Sequence, residues 1–332
     1  KGRGVSNASK RYFPLMEYGI SHDHLMPVDS EEGLLSQERY AELWSKFDKE
    51  FNLLPDDPHS FVQTLYFLLK KYTSRIPAST VDVADGSLFN HSRLTAALAI
   101  SLFDYDRLHP EAFSFHTRKS HIDLEDNHFP LLLVGGDISG IQSFIGDISS
   151  KGAARSLRGR SFYIQLIGEA LSQEILQRCD VHDSHVVYAS GGNFYLILPN
   201  VPETLRNLDA IKHEMDDFLW KKFEGNLSAT VSYIPFTYDK DLRKNPDRLF
   251  VPGENKPMGL SDLWTRLAMK LSTGKNQKFP AKLSDPAFFE PIEEGGLKPI
   301  CAVTGSEYGV RSYKRTISGK SEQIHLSEAY LE

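Results

Sequence analysis

Apolar and polar positions along the chain change period twice, and those changes divide the sequence into three parts. Over residues 36–106 the spacing is helical. In "LSQERYAELWSKFDKEFNLL" Tyr40, Leu43, Phe47 and Phe51 recur every three or four residues, giving one apolar stripe. "DDPHSFVQTLYFLLKKY" opens with Asp56, Asp57 and Pro58 as a helix start, and its run from Phe61 to Leu69 is apolar on most sides, which predicts a buried helix. "NHSRLTAALAISLFDY" places Leu94, Ala97, Leu98, Ser101 and Leu102 on one side, where small residues allow close packing. A polar stretch, 107–128, rich in His, Asp and Glu, reads as a linker or surface loop.

The period then shortens. "PLLLVGGDISGIQSFIG" reads as a continuous apolar strand from Leu131 to Val134, a Gly135-Gly136 turn carrying Asp137, and a helix with Ile141, Phe144 and Ile145. "GRSFYIQLIGEALSQEIL" continues as a long amphipathic helix. In "HVVYASGGNFYLILP" two β-prone runs flank Gly191-Gly192, and two glycines supply the positive φ of a two-residue hairpin turn. "PETLRNLDAIKHEMDDFLWKKF" is a helix with Leu205, Leu208, Ile211 or Lys212, Met215 and Leu219 inward, and "LSATVSYIPF" closes the unit as a strand.

Strand, helix, two-stranded hairpin, helix, strand is the ferredoxin-like (RRM-like) order, with one extra helix after the first. The predicted class is α+β: an antiparallel sheet with helices on one face, preceded by a small helical bundle. The expected domains are 1–128 (helical), 129–237 (ferredoxin-like) and 238–332. In the last, "YDKDLRKNPDRLFVPGENKP" is loop-like, "LSDLWTRLAMKLSTG" is a helix, and the remainder is rich in Gly, Pro and charge.

Composition narrows the function classes. With 332 residues, 40% hydrophobic and 25% charged, the chain has the make-up of a soluble globular protein of two or three domains. A net charge of -6 argues against a generally basic nucleic-acid binder, so any phosphate contact should come from a local patch. Cys179 and Cys301 are too few for a disulfide framework, which fits a reducing cytoplasm. No stretch reaches 18 apolar residues and no export signal is visible, so neither membrane spanning nor secretion is expected.

Four clusters could carry chemistry. Asp137, at the mouth of a buried strand beside glycines and a helix start, is placed as a residue holding a divalent cation against nucleotide phosphates would be. Asp137 or Ser139 could equally cap the helix from Gly140, and the motif alone leaves both readings standing. "SSKGAARSLRGRSF" sets Lys151, Arg155, Arg158 and Arg160 close together without an acid, either a solvated basic loop or a contact to nucleotide or RNA phosphate; phosphate contact is the favoured reading. His22-Asp23-His24 precedes Pro27 in a loop-like context and reads as a surface turn rather than a metal site. Cys301, with Thr304 where a second cysteine would stand and only His325 downstream, lacks the four ligands of a zinc knuckle, so zinc is not expected.

Taken together, "GDISGIQSFI", "SSKGAARSLRGRSFYIQL" and "ASGGNFYLILPN" resemble the large polymerase-like subunit of type III-A CRISPR effector complexes, the Csm type. "RYFPLMEYG", "YTSRIPAST" and "SLFNHSRLTAALAISL" are similar to the helical segment before that family's first palm, and "LWTRLAMKLSTGKNQKF" and "CAVTG" to the approach to its zinc-binding segment. The resemblance implies synthesis of cyclic oligoadenylates from ATP when guide CRISPR RNA pairs with target RNA, and single-stranded DNA cleavage by an HD domain not visible here. It also implies a second palm whose acids hold Mg²⁺ or Mn²⁺, and other Csm subunits as partners. This chain would supply the first, non-catalytic palm. Ser190, Gly191, Gly192 and Asn193 are then expected at the nucleotide, with Asp137, Ser139 and Gly140 close by and no catalytic residue among them. Glycines let backbone amides approach phosphate or ribose, and Asn193 can hydrogen-bond to sugar or base without holding a metal. Asn90 stands where family members often have aspartate. The chain is expected to be one piece of a longer or split protein, or a reduced version. The alternative is a scaffold that docks RNA and neighbouring subunits without nucleotide chemistry.

Overall fold

The computed structural model describes residues 13–28, 36–79, 86–116, 121–124, 127–146, 153–223, 225–239, 244–245, 247–290, 299–302, 310–317 and 320–327. It divides into two compact units, Lys1–Ala96 and Ala97–Glu332.

In the first unit, α1 (His22–Leu25) is a single exposed turn holding the His-Asp-His triplet, close to the surface turn expected of it. Helices α2 (Gln37–Phe51) and α3 (Pro58–Thr73) start at side-chain caps: Ser36 accepts from the Arg39 amide and Asp57 from the Ser60 amide at 2.8 Å. Leu43 of α2 meets Leu68 and Tyr72 of α3 over Leu15. Glu50 joins the two helices by accepting from Lys71 at 2.5 Å and from the Tyr72 hydroxyl at 2.9 Å. The burial predicted for α3 is only partial: Val62 and Phe67 are half-exposed, because the stripe that packs on α2 runs through Phe61, Leu68 and Tyr72 and leaves them off it. Helix α4 (Leu88–Leu108) runs on into the second unit.

Within the second unit, the stretch read as a linker carries regular structure. There β1 (Phe113–His116) and β2 (His121–Leu124) form a small antiparallel ladder. A five-stranded antiparallel sheet follows, built from β3 (Leu131–Ser139), β4 (Val186–Ser190), β5 (Asn193–Pro199), β6 (Ser228–Tyr238) and the short β7 (Leu249–Phe250), in the order β4-β5-β3-β6-β7. Between the strands lie α5 (Ile141–Gly146), α6 (Ala153–Arg178) and α7 (Pro202–Phe223), and α8 (Leu260–Lys275) comes after β7. A hairpin of β8 (Val310–Ile317) and β9 (Lys320–Ser327) ends the described chain, where the sequence pattern predicts no strand.

Strand alternation sorts the core into two layers. Leu132 and Val134 of β3, Phe194, Leu196 and Leu198 of β5 and Val231 of β6 face α6 and α7, where Leu171, Ile175, Leu208 and Ile211 complete the layer. The inward choice in α7 is thus Ile211, while Lys212 lies over the Tyr233 ring. On the other face Leu131 and Leu133 join Ile234 and Phe236 beneath Leu263, Leu267 and Leu271 of α8. Helices α6 and α7 cover the expected face of the sheet, and α8, from beyond the predicted ferredoxin-like unit, covers the opposite one. That explains the unbroken Leu131–Val134 run: β3 is buried on both sides.

Gly135 and Gly136 do not form a turn. Both are interior residues of β3, paired with Tyr195 and Phe194 on β5 and with Ser232 and Val231 on β6. A Cβ on Gly135 would stand 3.0 Å from Leu267 and Leu271, and one on Gly136 would stand 2.1 Å from the Phe194 ring. The pair reads as punctuation locally, yet its role is to let a helix and an aromatic ring lie against the strand.

Candidate functional site

The hairpin predicted at Gly191-Gly192 is present, with φ of +63° and +86°. These values are those of a turn whose twist matches the flanking strands. Gly191 has no atom within 4 Å of where a Cβ would be, so the tip is open, and Ser190 is exposed beside it. Gly192 is buried: a Cβ there would lie 2.8 Å from Ile141, and its carbonyl accepts from the Ile138 amide at 2.9 Å. The first residue after the turn, Asn193, is the Cα partner of Asp137 across β5 and β3, and Thr230 of β6 flanks Asp137 on the other side. Ser139 pairs with Ser228. Gly140 follows at φ +91°, where a Cβ would fall 1.9 Å from the Asn226 carbonyl oxygen. The structure therefore brings Asp137, Ser139, Gly140 and the Ser190–Asn193 hairpin to one end of the sheet.

A residue that sequence reading missed meets Asp137 there. Lys275, in the last turn of α8, places Nζ 2.7 Å from Asp137 Oδ2, and the Asp137 side chain is only 15% exposed. The approach depends on Gly274, since a Cβ at that position would come within 2.4 Å of Thr230 Cγ2. Lys275 also lines an open groove of about 750 Å³ with Asn276, Gln277, Lys278, Pro280 and Leu283. The cations of "TGKNQK" were visible in the sequence, but nothing in it ties them to Asp137.

These residues do not fit a pair of catalytic metals. One carboxylate, already engaged by an ammonium and flanked by neutral Asn193 and Thr230, is too little negative charge for two divalent ions. They do fit a neutral contact, through the open hairpin tip and the Asn193 amide.

The basic run divides. Lys151 lies outside the described residues, as does the side chain of Arg155. Arg158 is exposed near the start of α6, its Nε donating to the Ala154 carbonyl at 3.3 Å. Arg160 departs from the expected phosphate-facing position: it is 5% exposed, Nη1 donates to the Phe144 carbonyl, and the guanidinium lies over the Phe144 ring at 5.2 Å. It holds α5 on α6, because its place in the helix faces inward toward Phe144 and away from water. Cys301 is 2% exposed, and the Ala302 amide donates to the His325 carbonyl at 2.8 Å.

Comparison with known proteins gives the fold a lineage. Residues 130–293 match the family model for the Csm1 subunit domain B. A subtype III-A single-strand-specific deoxyribonuclease Cas10/Csm1 of Enterococcus italicus is 32% identical over 262 residues, 76% of this chain and 32% of that protein. Its counterpart in Methanocaldococcus jannaschii is 30% identical over 311 residues, covering 86% and 37%. Among solved structures, a Csm1–Csm4 cassette in complex with AMPPNP superposes with a TM-score of 0.62 at 21% identity, over 96% of this chain and 41% of that one. Cassettes in complex with cA3 and with cA4 superpose with the same score. The chain spans about a third of the length of the curated relatives it matches. A domain-B match in the right place, full-length relatives at this identity and the shared fold together make the chain a member of the Cas10/Csm1 family of type III-A large subunits.

Proposed function

We propose that this chain works as part of the large subunit of a type III-A CRISPR effector complex, where its palm forms a non-catalytic edge of an ATP site used to make cyclic oligoadenylates. The carrying observation is the Asp137–Lys275 pair beside Asn193, at the sheet end that also bears the open glycine hairpin. Such an edge can position a sugar or base through Asn193 and the Ser190–Gly191 backbone. It cannot hold the metals. Mg²⁺ or Mn²⁺ carried by ATP would stabilise the transferring phosphates, held by the acids of a second palm. In support, structural neighbours carry AMPPNP, cA3 and cA4 and are assembled with Csm4. Partner subunits, guide RNA and target RNA belong to the same proposal, with Arg158 and the neighbouring cations as phosphate contacts. Among the described residues no helix is long and apolar enough to cross a membrane, which is compatible with work in the cytoplasm.

A second reading is a scaffold that docks RNA and neighbouring subunits without touching ATP. The half-exposed Val62 and Phe67 on α3 favour it as an additional role. To separate the two, the purified chain is incubated with labelled ATP and Mg²⁺ or Mn²⁺, alone and with a polypeptide carrying the second palm. The expected result is cyclic product only in the mixture. Robust synthesis by the chain alone, or ATP turnover by the second palm that is indifferent to this chain, overturns the proposal.

A further inference from the structure

Away from the sheet end, three side chains from two stretches of the second unit converge. His109 follows the end of α4, Glu111 lies in the 3₁₀ turn Pro110–Ala112, and His128 stands just before β3. One ligand atom from each lies within 4.8 Å of the other two. His109 Nδ1 and Glu111 Oε1 are 3.4 Å apart. Two ligands bound tetrahedrally to zinc at about 2.1 Å stand roughly 3.4 Å from each other, so this pair already has the bite a cation needs.

The surroundings are built to hold these rings. Tyr105 is 7% exposed and packs with Ala112 and Val201 beneath the cluster. Its ring is 4.5 Å from that of His109, and its hydroxyl lies 3.1 Å from His128 Nδ1. A hydrogen-bond partner on one ring nitrogen, fixing the ring and leaving the other nitrogen for a cation, is the usual support of a metal-bound histidine. The segment carrying His128 is itself pinned: the Asn200 amide side chain donates to the Phe129 carbonyl at 2.7 Å, and the Asn200 backbone amide to the Pro130 carbonyl at 2.9 Å.

We propose that His109, Glu111 and His128 form a site for a divalent transition metal of the zinc class, tying the end of α4 to the strand that carries Asp137. Two imidazoles and one carboxylate favour zinc over magnesium or calcium, which prefer all-oxygen shells. Three protein ligands leave the fourth position to water or to a donor from outside the chain. The site is separate from the nucleotide edge and does not rest on the functional reading above.

The test titrates chelator-treated protein with Co²⁺ and with Zn²⁺, using the whole chain. We expect one equivalent of Co²⁺ to give the visible absorption of a four-coordinate nitrogen and oxygen site, displaced by Zn²⁺. His128→Asn and Glu111→Gln should remove that equivalent while the metal-free melting temperature stays unchanged, and Tyr105→Phe should weaken binding about tenfold. Cys301→Ser and His325→Ala should leave it intact. Zn²⁺ should raise the melting temperature of the wild type and not of His128→Asn. Absence of a bound equivalent, or one that survives in His128→Asn, overturns the site.

Discussion

Lys275 Nζ and Asp137 Oδ2 lie 2.7 Å apart, and this ion pair couples the last turn of a helix to the strand at the centre of the sheet. In a nucleotide-transferring palm the corresponding end of the sheet is where acids would gather around metal. Here the charge is neutralised within the chain itself.

Removing the ammonium should strand a mostly buried carboxylate. Lys275→Ala is expected to lower unfolding stability by about 1–2 kcal/mol, read as a lower urea midpoint. Adding Asp137→Asn should recover part of the loss, and strictly additive effects in the double-mutant cycle would mean the pair is not coupled.

The glycines should separate by their surroundings rather than by their type. Gly136→Ala, driven into the Phe194 ring, is expected to cost about 3 kcal/mol, with partial recovery on adding Phe194→Leu. Gly140→Ala meets a backbone oxygen and should be no milder. Gly191→Asn occupies open space at a φ that asparagine tolerates, so thermal denaturation should place it within about 1 kcal/mol of the wild type.

Two arginines two positions apart should fail differently. Arg160→Ala removes a buried guanidinium from the Phe144 ring and carbonyl and is expected to destabilise by about 2 kcal/mol. Arg158→Ala should leave the melting curve unchanged but weaken RNA binding and flatten its salt dependence. Equal effects on stability would remove the distinction.

His185 gives the fold a pH signature. It is fully buried, and burial pushes its pKa down to about 4, against a partial opposing effect from its hydrogen bond to the His182 carbonyl at 3.1 Å. The unfolded chain, with an ordinary histidine pKa near 6.5, binds the proton that the folded state refuses. The His185 contribution to stability should therefore be constant above about pH 6.5 and fall as pH drops toward 4, by on the order of 3 kcal/mol at the limit. In denaturant titrations across this range His185→Gln should show a smaller slope.

Asn193→Ala, made in an intact protein bearing both palms, should raise the KM for ATP severalfold with an unchanged melting temperature. Unaltered kinetics would reduce the hairpin to a structural turn.

Local signals carried much of this protein. The Gly191-Gly192 turn, the helical stripes and the strand order were legible because hairpin chemistry and apolar period act over a few residues. The ladders β1–β2 and β8–β9 were not: four-residue strands in the first and charge-rich strands in the second give too little apolar period to read, and the first looked like a linker. Gly135-Gly136 is the instructive error. The same dipeptide that makes a turn after Ser190 runs straight through β3, since Phe194, Leu267 and Leu271 occupy the space its side chains would need.

The sequence by itself determined a sheet of antiparallel strands with helices, a glycine hairpin at its end and Asn193 where an acid could have stood. Only the tertiary structure decided that α8 covers the second face, that Arg160 points inward, and that Asp137 is answered by Lys275. Periodicity records which face of an element is buried. It does not record which distant element buries it, and the partner of a charge depends on that.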